Sequence, residues 1–300
     1  MSRLQVLLAA LCFGTTGTAQ ALGPGGIDPA AVGAARIACG GALLVLFARL
    51  VRRENHAARP AWARGPILAG AAGVAAYQAS FFAAVDHTGV AVGTIVALGS
   101  APALTGVLEW ALHGRRPPAR WAVATALASA GVALLAMAGG GEAGISPLGV
   151  GLAVLAGGSY ATYTLASKRL LDDGHAPERV MAALFGLGAV ALAPVLVLSG
   201  PAWIATGGGL ALVLFLGVVP TAIAYVLFAH GLRGLDASEA ATITLAEPVT
   251  AAALGVGVLG EHVTGGGAFG ATLVLGALVL LATRTGGRRN PPLRTIAEPA

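Results

Sequence analysis

Two ionisable side chains stand deep inside long apolar runs of this sequence. A charge placed mid-span costs about 2.5–3.5 kcal/mol, which makes each of them a candidate for function. Glu247 follows Asp236 by eleven residues, about 16 Å at the rise of a helix and so near the middle of a bilayer. Burial opposes ionisation of a carboxyl, whereas a nearby Arg or a solute amine favours it. A group balanced between the two can take up a proton in one state and release it, or exchange it for a cationic solute, in another. Glu247 is therefore the candidate coupling residue, with protons as the candidate coupling ion. Arg36 lies seven residues past Pro29, about 10 Å inside the other boundary. Its guanidinium stays charged and must meet an anion or water. The anion is a substrate carboxylate, Glu247 itself, or a partner that only holds spans together. Glu109, Asp86 and Glu239 fall within about a turn of span ends and read as interfacial.

Pro248, next to Glu247, removes one helix hydrogen bond and is expected to free the carbonyl of Thr244. Pro102 would do the same for Leu98. Paired interruptions of this kind point to a transport site, although prolines that only kink helices for packing look the same. Polar side chains gather in neighbouring runs: Thr15, Thr16 and Thr18, then Tyr77 and Gln78, then Tyr160 and Tyr163, then Tyr225. Tyr160 and Tyr163 are three apart and share a helix face. All four tyrosines fall inside apolar runs, where they either enclose a solute or pack helices. A lone Thr hydroxyl is readily satisfied by its own helix.

The elements that must position these residues are membrane spans. Of 300 residues, 56% are hydrophobic and 10% charged, and the mean hydropathy is +0.81; a soluble domain is about a quarter charged. Ten runs are long enough to cross: 4–22, 29–51, 66–85, 90–112, 121–138, 148–170, 177–198, 209–232, 237–259 and 266–282. The 45 glycines lie largely within them and suit close helix packing. Seventeen of the eighteen basic residues fall in alternate loops and the termini, Arg36 being the exception. This bias places both termini in the cytoplasm. Trp62, Trp110, Trp121 and Trp203 mark span ends. The first twenty residues also resemble a cleavable signal peptide, but ten spans account for the whole charge alternation.

Several chemistries drop out. The net charge of +5 forms no basic stripe for nucleic acid. Two cysteines, Cys12 and Cys39, both mid-span, make neither a disulfide framework nor a zinc site. The single lysine, Lys168, follows Ala166 and Ser167, so there is no phosphate-binding loop, and no zinc-helix or serine-elbow motif occurs. Of six histidines only His230 lies within a span, as expected of a packed or interfacial residue. The expectation is no enzyme, no cofactor and no metal.

The chain repeats internally: Ala91, Pro102 and Gly114 recur as Ala237, Pro248 and Gly260, a constant offset of 146 residues. Gly14 and Thr15 align with Gly158 and Ser159, and Tyr77 falls near Tyr225. Five spans per copy is odd, so the second copy must be inverted, with a site between the halves near the midplane. Leu245, Ala246, Glu247 and Pro248, then Gly260, Glu261, Gly270 and Gly276, resemble the C-terminal signature of the EamA-type branch of the drug/metabolite transporter superfamily. The first copy departs from it, with Arg115 where Glu261 stands. The resemblance implies an inner-membrane exporter of small metabolites, commonly amino acids or related compounds, walled by spans of both repeats.

The expectation is thus an all-α integral membrane protein of ten transmembrane helices. It comprises a first repeat over 1–138, an extracytoplasmic linker over 139–146, a second repeat over 147–285 and a polar tail over 286–300. It exports a small solute across the cell membrane by alternating access. Drug or lipid efflux, and a membrane enzyme without a recognisable motif, remain as alternatives.

Overall fold

The computed structural model describes residues 1–51, 61–114, 116–138, 146–260, 262 and 264–282. Among these residues all regular structure is helical. Ten helices are long and apolar enough to span a membrane: α1 Ser2–Leu22, α2 Pro29–Leu50, α3 Arg64–Gly89, α4 Val92–Leu112, α5 Ala119–Met137, α6 Pro147–Asp172, α7 Pro177–Leu198, α8 Gly207–Leu232, α9 Ala237–Leu259 and α10 Gly265–Ala282. The protein is a multi-pass membrane protein. Short connections alternate the helices between a face carrying the N-terminus and the opposite face. Most of the linker, the tail, Arg115 and Glu261 lie outside the described residues.

Local sequence explains where the helices begin and break. On the opposite face, Asp28 accepts a hydrogen bond from the Ala30 N–H at 2.8 Å, with Pro29 opening α2. Thr206 caps α8 through the Gly209 N–H at 3.1 Å. The turn between α3 and α4 is made at Gly89, whose φ of 76° suits a residue without Cβ. Within α8, Pro220 deprives the Leu216 carbonyl of its helical donor. The Thr221 hydroxyl takes that carbonyl at 2.7 Å, and the helix widens to π geometry over Val218–Ile223.

Packing pairs each repeat with the other. Helix α1 lies against α8 and α9, and its counterpart α6 against α3 and α4; α2 packs on α7, and α5 on α10. A two-fold relation between an upright and an inverted copy produces this exchange. Without water to drive apolar surfaces together, close backbone approach must supply the attraction. Gly131 of α5 and Gly270 of α10 show it reciprocally: a Cβ on either would lie 2.5 Å or 2.6 Å from the other's carbonyl oxygen. The largest fully buried side chains are Phe185, Phe228, Ile37, Leu44 and Leu170.

Gly131→Val or Gly270→Val should therefore lower thermal stability in detergent by about 1–3 kcal/mol through overpacking. Gly257→Val, at a position with nothing within 4 Å, should leave the melting temperature nearly unchanged. Equal melting temperatures for all three variants would contradict the glycine contact.

Candidate functional site

Five helices drawn from both repeats converge at mid-depth. Helix α2 brings Arg36, α3 Tyr77 and Gln78, α6 Tyr160 and Tyr163, α8 Tyr225, and α9 Thr244 and Glu247. Arg36 donates through Nη2 to Gln78 Oε1 at 3.1 Å. Tyr160 shares a 2.9 Å hydrogen bond with the Thr244 hydroxyl, and Tyr163 one of 3.4 Å with Tyr225. The rings form a chain, Tyr77 to Tyr160 at 6.4 Å, Tyr160 to Tyr163 at 5.0 Å and Tyr163 to Tyr225 at 6.1 Å between centroids. Arg36 and Glu247 act on each other electrostatically, and both act on Tyr77 and Tyr225, yet no ion pair joins them among the described residues. Arg36, Tyr77 and Glu247 are only half-buried, while Gln78 is 3% exposed.

Helix α9 breaks where Pro248 requires it, but in a different way from that expected. The three residues Thr244–Ala246 tighten into a 3-10 turn, and the Glu247 N–H donates to the Thr244 carbonyl. That carbonyl is therefore engaged rather than free. Thr244 contributes its hydroxyl instead, which donates to Ala241 O at 2.8 Å and leaves an acceptor for Tyr160. In α4 the helix runs through Pro102, and Ser129 of α5 donates at 3.0 Å to the Gly99 carbonyl beside it. Gly157 of α6 sits against Ala97 and Ala101, so this stretch of α4 is packed closely on α6. The counterpart of Glu247 in the first repeat is Ala101, which carries no charge. Pro248 and Glu247 are half-buried beside α1, where Gly14 admits the Glu247 carbonyl and Thr250.

Thr15 donates to its own helix at Cys12 O, 2.7 Å away, and Thr16 is half-buried on the same helix. Thr15 and Thr18 line a cavity of about 610 Å³ towards the opposite face, walled otherwise by apolar groups including Leu22, Leu212, Phe215 and Leu254. The N-terminal face is cross-linked. Arg3 reaches Glu239 at 2.6 Å and the Ala282 carbonyl at 3.3 Å, joining α1, α9 and α10. Arg120 donates to Leu281 O at 2.6 Å, and Trp121 to Ser238 O at 3.0 Å. Glu109 of α4 accepts from the N–H groups of both Ala237 and Ser238 at 3.0 Å. A carboxylate is thus held at the positive end of α9. His230 bonds Val226 O and lies 3.1 Å from Glu178 at the same end.

Sequence reasoning missed Phe13, 5.0 Å from the Tyr225 ring, and Phe185, 4.0 Å from it, because a buried Phe gives no signal that separates lining from packing. Pro220 was a signal that went unused: a proline mid-span, followed by a threonine able to bond the freed carbonyl.

The EamA-like transporter family matches residues 2–137 and again residues 147–283. The chain is 43% identical over 280 residues to the uncharacterized transporter YwfM of Bacillus subtilis (strain 168), with 93% of each chain covered. It is 31% identical over 213 residues to an uncharacterized transporter of Archaeoglobus fulgidus, covering 69% of this chain and 72% of that one. A solved structure, described only as the crystal structure of a protein, matches with a TM-score of 0.78 over 93% of this chain and 96% of that chain. The two are 23% identical, so the likeness is one of fold.

The Arg3–Glu239 pair should hold the N-terminal face closed. An ion pair worth about 1 kcal/mol corresponds to about a fivefold change in opening. On a background lacking Cys12 and Cys39, a cysteine replacing Ser238 should react with maleimide about fivefold faster after Arg3→Gln or Glu239→Gln. An unchanged rate would remove the pair from the closure.

Proposed function

The chain belongs to the EamA-like transporter family, and from that premise we propose that it exports a small organic solute, an amino acid or a related compound, across the cytoplasmic membrane by alternating access. The observation that carries this reading is the juxtaposition of Arg36 and Glu247, not paired with each other, beside a chain of four tyrosine rings at the junction of the two repeats. Opposite charges left apart on half-buried side chains suit a solute that bears both signs, its carboxylate towards Arg36 and its amine towards Glu247. The tyrosine hydroxyls and rings orient and enclose the remainder.

The described basic residues at the N-terminal face, Arg3, Arg49, Arg64, Arg116, Arg120, Lys168, Arg169, Arg179 and Arg233, support a cytoplasmic reading of that face under the positive-inside rule. On that reading the cavity beside Thr15 lies towards the outer face and supports a route by which solute leaves there. Glu247 supplies the coupling: a solute amine and a proton compete for one carboxylate, so departure of the solute outside lets a proton enter in its place. The apolar wall of the outward cavity favours a second reading, efflux of a more hydrophobic compound by the same route.

Solute accumulation in proteoliposomes tests the proposal. Glu247→Gln should lose accumulation driven by a pH gradient and retain solute exchange in its absence; a variant as responsive to the gradient as the parent would end the coupling role. Arg36→Gln should abolish transport at normal protein levels, whereas loss of folded protein would assign Arg36 a structural role. For orientation, a cytoplasm-only reporter fused after Arg116 should be active and one fused after Gly141 silent, and the reverse pattern would invert the topology.

A further inference from the structure

The Arg36–Gln78 pair presents hydrogen-bond donors with nothing to receive them. Arginine carries only donors, so the 3.1 Å contact from Nη2 fixes the Gln78 amide with Oε1 towards Arg36 and its NH2 group turned elsewhere. That Nε2 is shut off from solvent and has no partner among the described residues, on a side chain that is 97% buried. Arg36 Nε is buried and unpartnered as well. Two orphaned donors on two touching side chains, one of them charged, are rare in a folded interior.

The fold makes room for this arrangement at a definite place. Gly33 stands one helical turn before Arg36 on α2, and a Cβ there would come within 2.9 Å of Gln78 Nε2 and would also meet the Phe82 ring. The missing side chain is what lets the amide lie against α2 beside the guanidinium. Among the described residues no carboxylate is paired with Arg36, and Glu247 acts on it only through its field.

We infer that Arg36 and Gln78 form a seat for a carboxylate, which accepts from Arg36 Nε and Gln78 Nε2 together. A donor-only surface selects an acceptor, and the fixed positive charge selects an anionic acceptor over a neutral one. Gln78 acts as the discriminating residue: it holds the guanidinium by its oxygen and offers its nitrogen to the same ligand group. The seat rests on the transport reading for its occupant, the carboxylate of the exported solute, and adds that a solute without an anionic group is disfavoured there.

Phenylglyoxal modification of the full-length protein in lipid nanodiscs, with mass spectrometry of the Arg36 peptide, tests the seat. The probes are benzoate and its neutral isostere benzamide. Benzoate should slow modification of Arg36 about tenfold relative to benzamide at equal concentration, as a charge-assisted bidentate contact would. Gln78→Leu should weaken the benzoate effect, and Gln78→Glu, which gives Arg36 an internal carboxylate, should abolish it. Equal protection by the two probes, protection by neither, or an Arg36 inert to the reagent without probe would each overturn the seat; all three are read in the parent protein and need no variant to fold. Proteoliposome assays keep this apart from the transport reading. Benzoate protection in a protein that moves no solute leaves the seat standing and sinks transport, whereas transport without any carboxylate effect does the reverse.

Discussion

A hydrocarbon interior offers no water to a polar atom, so every donor, acceptor and charge within the ten helices must be answered by another part of the chain or by what the chain carries. Most are answered locally. Thr88, Thr105, Ser159, Thr162 and Ser167 each return a hydroxyl to the carbonyl four residues back. Thr221 meets the carbonyl that Pro220 abandons, and the 3-10 turn before Pro248 uses the Glu247 N–H to close the gap that proline would leave. Against that background Arg36 Nε and Gln78 Nε2 stand out as donors on two touching side chains with no partner among the described residues, Thr164 Oγ1 being another such atom within the spans.

The inverted repeat supplies the frame, and its departures from symmetry supply the site. Helices α5 and α10 meet through reciprocal glycines, and α1 and α6 occupy matching grooves of the other repeat. Yet Glu247 has Ala101 as its counterpart, and the broken α9 has the continuous α4. A symmetric pair of charged, interrupted helices would place two carboxylates near one Arg and raise the desolvation cost without a second cation to offset it. One charged helix against one packing helix avoids that cost.

Span number, inversion and the positions of Arg36 and Glu247 within their helices were legible because they depend on patterns that lipid enforces: apolar length and the scarcity of buried ions. The tyrosines were legible as a set for a similar reason, since all four avoid the span ends where such rings usually sit. The Arg36–Gln78 contact was not, because it depends on Gly33 admitting a side chain from another helix, and a sequence does not say which of many glycines is crossed at that point. Nor was the role of Glu109: its place near a span end suggests an interface, but its use as the cap of α9 is set by a partner 128 residues away. The expected free carbonyl of Thr244 failed because a backbone group released by proline is captured by the nearest N–H whenever the chain can tighten by one turn.

The cross-linked face and the central charges belong to one helix. The first turn of α9 is fixed by Glu109 at its N–H groups and by Arg3 at Glu239, and Glu247 follows eight residues after Glu239, past the 3-10 turn. Opening the N-terminal face between α1 and α9 requires Arg3 to leave both Glu239 and the Ala282 carbonyl, at the start of the helix that carries Glu247. Gly14 brings the backbone of α1 against the Glu247 carbonyl and Thr250, so the same two helices also meet at the centre. Because packed interfaces settle into discrete arrangements rather than deforming continuously, a change in what Glu247 faces and a change in the Arg3 contacts bear on a single interface. The charge at mid-depth and the closure at the face are in that sense two readings of the α1–α9 contact.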